Sequence, residues 1–149
     1  MQIQVGCVTD LRCALNRDSL LKAYADESQN MLTPIVSPDW DLYLHLEELG
    51  MMDFIKVIND DKTLVGFMTL ITTVLPHYTE PATTIESFFV LEEYRGAGTA
   101  KKMMAMAELL AVARNAKNIM MSAPIGGTLA RVSASFGFSA TSIAYMKKI

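Results

Sequence analysis

An α/β fold built on a mixed sheet is what this sequence predicts, and three observations carry the prediction. A hairpin pattern rich in β-branched residues fills the middle of the chain, a strand then runs through a glycine turn into a long helix, and short strand and helix patterns alternate towards the end. Hairpins early and crossovers late give a sheet with both antiparallel and parallel neighbours.

The elements follow in order. Ile3 to Val8 suits a short first strand, and Asp10 to Ser28 carries Leu11, Leu15, Leu20, Leu21 and Tyr24 at helical spacing. Gln29 to Trp40, punctuated by Pro34 and Pro38, reads as a surface connection. Asp39 stands as N-cap before Trp40, Leu42, Tyr43, Leu46 and Leu49, and Gly50 ends that helix. Phe54 to Ile58 and Thr63 to Val74 form a hairpin around Asn59-Asp60-Asp61-Lys62. Thr83 to Leu91 is a buried strand, and Thr99 to Arg114 is a helix whose stripe is Met103, Met106, Ala107, Leu110 and Ala113. Asn118 to Ser122 gives another strand, Gly126-Gly127 opens a helix through Ser135, and a final strand is expected near Ser142 to Lys147.

Composition narrows the function. With 149 residues, 51% of them hydrophobic, the chain fits one domain over 1–149. A net charge of −3 lacks the basic excess of nucleic-acid binders. Cys7 and Cys13 are too few for a disulfide scaffold, and no Cys/His cluster has zinc spacing, so reduced thiols and no metal are expected. No secretory n-region and no apolar run of about 20 residues is present, which predicts a cytoplasmic protein without a membrane partner. The methionines are expected in the core, and the apolar content leaves homodimerisation open.

The most informative local feature is Arg95-Gly96-Ala97-Gly98 before a helix. Such a turn gathers unpaired backbone N–H groups and the positive helix end, which together stabilise an anion such as phosphate. Gly96 and Gly98 allow positive φ and close approach, and Lys101 and Lys102 add positive charge. The pattern GxxxxGK[ST] is absent, and GxGxxG fails because Lys101 replaces its third glycine.

The stretch Ile85-Glu86-Ser87-Phe88-Phe89-Val90-Leu91-Glu92-Glu93-Tyr94-Arg95-Gly96-Ala97-Gly98-Thr99-Ala100 resembles the fourth strand and Q/RxxGxG/A motif of Gcn5-related N-acetyltransferases. Leu129-Ala130-Arg131-Val132 followed by Phe136-Gly137-Phe138 resembles that family's late helix and its Gly-Phe ending. The likeness is strong over residues 63–138, and the first 50 residues match only in element order. It implies a mostly antiparallel sheet of six to seven strands, with the fourth and fifth splayed apart and about four helices around it.

The resemblance further implies acetyl-CoA as cosubstrate and an amine as acceptor. The pyrophosphate would sit on Arg95, Gly96, Ala97, Gly98, Thr99, Ala100 and Lys101, and the pantetheine arm would pair with Phe88, Phe89 and Val90 like an added strand. Acyl transfer needs a neutral amine and a donor for the thioester oxygen. Glu86 is the candidate base, expected by alternation on the same face as Phe88 and Val90. Its bland alternative is a carboxylate that only holds a substrate cation. The sequence departs from the family twice: Ser133 stands where a tyrosine acid is usual, and Gly126-Gly127-Thr128 replaces a pantetheine-binding asparagine. Ser133, Tyr145 and Tyr78 are therefore the candidate proton donors. A noncatalytic CoA-binding protein is the alternative reading. Met31 to Trp40 and His77 to Glu80 are expected to shape the acceptor side, and an ordinary surface or packing role is expected of His45.

Overall fold

The structure, a computed structural model, describes residues 1–28, 35–77 and 79–147. Five strands form one sheet in sequence order: β1 (Gln2–Gly6), β2 (Met52–Ile58), β3 (Leu64–Leu75), β4 (Glu80–Val90) and β5 (Asn118–Met121). Successive pairs from β1 to β4 are antiparallel, whereas β4 and β5 are parallel. The helices are α1 (Val8–Arg12), α2 (Arg17–Ser28), α3 (Trp40–Glu48), α4 (Thr99–Ala113) and α5 (Thr128–Val132), with 3-10 turns at Glu92–Tyr94 and Ser133–Phe136.

The mixed α/β architecture is the expected one, with corrections. Five strands stand among the described residues instead of six to seven. The strand expected near Ser142 to Lys147 is absent: residues 139–147 have no regular structure and lie exposed. Ile143 and Tyr145 favour strands, but no neighbouring strand takes the segment's backbone groups, and propensity without a partner ladder does not make a strand. The helix expected from Asp10 is two helices. Asn16 Nδ2 donates to the Leu64 carbonyl at 2.8 Å, a side-chain bond that competes with helix at the break. Leu15, placed on the apolar face by spacing, is fully exposed there.

α3 begins as its sequence dictates, with Asp39 Oδ1 accepting from the Leu42 N–H at 3.0 Å and Gly50 at φ +68° just past its end. The helix expected from Gly126 to Ser135 is shorter, its last turn being 3-10.

Each face of the sheet carries a core. α4 sends Met103, Met104 and Ala107 against Ile55, Met68, Leu70, Ile85 and Val90. Ala113, assigned to that stripe from spacing, is exposed, and Ala111 is buried instead. On the other face Phe54, Phe67 and Phe89 meet Val8, Leu11 and Leu20, with Tyr24, Trp40 and Tyr43 at the margin. Four methionines, Met52, Met68, Met103 and Met104, are buried.

Two ion pairs fasten helices to β2. Arg114, past the end of α4, grips Asp53 through Nε to Oδ2 at 3.0 Å and Nη2 to Oδ1 at 2.8 Å. Lys56 Nζ reaches Asp10 Oδ1 at 2.8 Å. Burial alone would raise the Asp10 carboxyl, but the bonds from Lys56 and Cys7 outweigh it and hold Asp10 below its ordinary value.

Candidate active site

The site begins where β4 and β5 part. Their parallel pairing covers only Ala82 to Ile85 against Asn118 to Met121, so β4 beyond Ile85 has no strand on that side. Ser87 and Leu91 direct their N–H groups towards β3, to Thr69 Oγ1 and the Val65 carbonyl. Alternation therefore turns the backbone groups of Phe88 and Val90 to the open edge. An extended chain of amides could continue the sheet there.

β4 leads through Glu92–Tyr94 into the glycine turn. Gly96, Ala97 and Gly98 have φ of +99°, +46° and +77°. An added Cβ at Gly96 or Gly98 would meet nothing within 4 Å, so backbone conformation, not space, asks for glycine. Ala97 holds the same region with a Cβ, at a cost of about 1–2 kcal/mol. Thr99 N–H bonds to the Gly96 carbonyl at 2.9 Å and Lys102 N–H to that of Gly98 at 2.9 Å. Among the described residues no acceptor takes the N–H groups of Gly96, Ala97, Gly98, Ala100 or Lys101. Several such donors stand at the start of a fifteen-residue helix, an arrangement whose chemistry suits an anion.

Between the open edge and α5 lies a cavity of about 350 Å³. Phe88, Phe89, Val90, Arg95, Gly96, Thr99 and Ala100 line one side, and Thr128, Leu129, Val132 and Phe136 the other. Most of the cofactor residues named from sequence thus meet at one cavity. Ala97 and Gly98 belong to the turn without lining it, and the Lys101 side chain is exposed outside the lining. Thr128, in the stretch that replaces the family's asparagine, is part of the wall.

Glu86 sits at the fork, on the face opposite to the one expected. The register steps from Thr69 facing Ser87 to Leu70 facing Ile85, which leaves Glu86 without a partner as a β-bulge. The extra residue breaks the period of two. Phe88 and Val90 pack with the α4 core, whereas Glu86 turns to the side of α2 and α3, where Thr69 Oγ1 donates to its Oε2 at 2.6 Å.

That bond fixes the direction of a short chain. A hydroxyl has one proton, and the carboxylate only accepts, so Thr69 gives its proton to Glu86. Ser87 Oγ, 2.6 Å away, must then donate to Thr69, whose second acceptor site takes the Ser87 N–H at 3.1 Å. Thr69 and Ser87 are buried. Two tyrosines complete the surroundings. Burial first, then the charge and acceptor oxygen of Glu86, push the Tyr43 hydroxyl well above its ordinary value, and burial with the Glu86 charge raises Tyr24 as well. Both phenols stay protonated. No lysine or arginine among the described residues pairs with Glu86.

Of the candidate proton donors, Ser133 and Tyr145 are not brought to this fork. Ser133 Oγ donates to the Ala130 carbonyl at 2.9 Å and its residue does not line the cavity. Tyr145 is 91% exposed and does not line the cavity. Tyr78 and Met31 to Pro34 lie outside the described residues. His77 and His45 are both exposed. Sequence reading missed Thr69, Ser87, Tyr24 and Tyr43 around Glu86. The two tyrosines were visible as apolar-stripe residues, but nothing local pairs them with a carboxylate from a distant strand.

A model of the acetyltransferase (GNAT) family matches residues 17–126, and the chain belongs to that family. Its fold agrees. A ribosomal-protein-alanine N-acetyltransferase from Brucella melitensis biovar Abortus 2308 superposes with a TM-score of 0.72 at 19% identity, covering 100% of both chains. Glucosamine-6-phosphate N-acetyltransferase from Arabidopsis thaliana gives 0.74 at 14% identity, over 99% of this chain and 97% of that one. A transcriptional regulator from Bacillus halodurans C-125 gives 0.74 at 17%, over 99% of each. No curated protein matches the sequence. At these identities the likeness concerns the fold, and the three names differ in what the proteins act on. No described helix is long and apolar enough to cross a membrane, and no described cluster of three or more His, Cys, Asp or Glu could hold a metal.

Proposed function

We propose that this chain is a cytoplasmic N-acetyltransferase that passes the acetyl group of acetyl-CoA directly to a primary amine of a small molecule or protein in a ternary complex. The observation that carries the reading is the fork itself: a β4 edge with no neighbouring strand beyond Ile85, running into a turn whose N–H groups have no acceptor among the described residues, with a carboxylate that no described lysine or arginine pairs at the point where β5 departs.

In this reading the turn of residues 95–101 binds the diphosphate and the Phe88–Val90 edge holds the pantetheine amides. The amine nitrogen attacks the thioester carbonyl carbon, the C–S bond breaks, and Glu86 takes the proton that the nitrogen sheds. A backbone N–H on the open edge supplies the donor for the oxygen that gains charge. The other product leaves as a thiolate. With thiols ionising near pH ~8.5, that departure needs no side-chain acid, which fits the positions of Ser133 and Tyr145. No step uses a metal, a nucleic acid or a membrane. Thr69 aims the carboxylate, and Tyr24 and Tyr43 wall it from the apolar core.

The experiment is thiol release from acetyl-CoA across a panel of alkyl, amino-sugar and peptide amines. Release that requires an added amine, with the acetylated amine found by mass, is expected. The placement of Ser133 and Tyr145 favours one second reading, a CoA-binding protein without turnover, whose sign is acetyl-CoA binding with no amine-dependent release.

A further inference from the structure

The cavity that would hold a polyanion has, among the described residues, one acidic residue in its wall. Glu27, in the last turn of α2, lines it together with Arg95, the one basic residue described there. The two are joined: Arg95 Nη2 donates to Glu27 Oε1. Arg95 Nε also donates to the Val90 carbonyl at 2.7 Å, and its guanidinium carbon lies 5.6 Å from the centre of the Phe89 ring. Arg95 is thus folded back along the β4 edge, held by a strand carbonyl, an aromatic face and a helix carboxylate.

We infer that Glu27 is a positioning residue that holds Arg95 away from the anionic cosubstrate, and that cosubstrate binding takes the guanidinium from Glu27. The inference rests on the acetyl-CoA reading above. A guanidinium carries five N–H donors, and a diphosphate offers it the same bidentate match that a carboxylate does. Val90 and Phe89 keep Arg95 beside the turn while the Nη side swings between the two anions. Both partners are partly exposed, Arg95 at 40% and Glu27 at 52%, so exchange needs little desolvation. If Arg95 stayed with Glu27, two like charges would face each other across the cavity, and Glu27 would oppose binding outright. In either arrangement the acid weakens binding of the anion, so its removal strengthens it.

α2 does not depend on this pair for its place. Tyr24, one turn earlier, packs edge-on against Phe67 at 5.5 Å and Phe89 at 5.8 Å between ring centres, and Leu20 is buried. Glu27→Gln therefore folds, which unliganded thermal unfolding checks.

The test is calorimetric titration of the full chain with CoA. Glu27→Gln is expected to bind about three- to tenfold tighter than the unaltered chain at low salt, with the gain shrinking as salt rises from about 0.05 M to about 0.5 M. In an Arg95→Gln background the Glu27→Gln gain is expected to be smaller, because part of it acts through the guanidinium. A merely structural role for Glu27 would lower affinity on substitution. Equal or weaker binding by Glu27→Gln, a gain indifferent to salt, or a gain unchanged in the Arg95→Gln background overturns the inference. Failure of the unaltered chain to bind CoA would instead overturn the acetyl-CoA reading on which it rests.

Discussion

Glu86→Gln is expected to lower kcat by about 10²–10⁴-fold while acetyl-CoA affinity stays as it was. The amide keeps the shape of the side chain and an oxygen for the Thr69 hydroxyl, 2.6 Å away in the native protein, but it cannot take a proton from the attacking amine. The loss should fall on kcat, since an interaction made only as the proton moves is absent from the ground state. The split between kcat and KM separates the two roles open to this carboxylate. As a base, its replacement lowers kcat and leaves the KM for the amine. As a mere ammonium holder, its replacement raises the KM for the amine and leaves kcat. Steady-state kinetics with an accepted amine measures both.

The second large effect is at the turn. Gly98→Glu is expected to abolish detectable acetyl-CoA binding. Its backbone sits at φ +77°, where a side chain costs about 1–2 kcal/mol, and the new carboxylate would stand among the N–H groups that the proposal gives to the diphosphate. No described atom beyond its chain neighbours lies within 4 Å of the added Cβ, so the unliganded variant stays folded with a midpoint about 2–8 °C lower. Calorimetric titration with acetyl-CoA reads the binding. A variant that is folded and binds normally would move the diphosphate away from this turn.

How much of this was legible in the sequence depended on how local each feature is. The cap at Asp39, the stop at Gly50, the hairpin around Asn59 to Lys62 and the glycine turn are decided by residues within a few positions of each other, and the structure has them where spacing put them. The side of the sheet that Glu86 faces is a property of two strands, and alternation along β4 alone returned the wrong face. The extra residue shows only in the register with β3. Asn16 breaks the first helix through a carbonyl 48 positions away, and Glu27 meets Arg95 across 68. Tyr24 and Tyr43 read as apolar-stripe residues and are that, but their hydroxyls also border a charge from another element. The expected last strand failed for the same reason in reverse, since Ile143 and Tyr145 carry the propensity and no partner strand is there to use it.

Acetyl-CoA at the fork is the claim on which the proposed chemistry depends, and thermal unfolding of the native chain with and without acetyl-CoA tests it most directly. Ligand at about 100 times its dissociation constant stabilises a fold by about 2.7 kcal/mol, which in a domain of this size raises the midpoint by about 5–11 °C. A rise of that size, absent with Gly98→Glu, is the predicted result. An unchanged midpoint up to millimolar acetyl-CoA would contradict the account and leave the GNAT fold without the cosubstrate assigned to it.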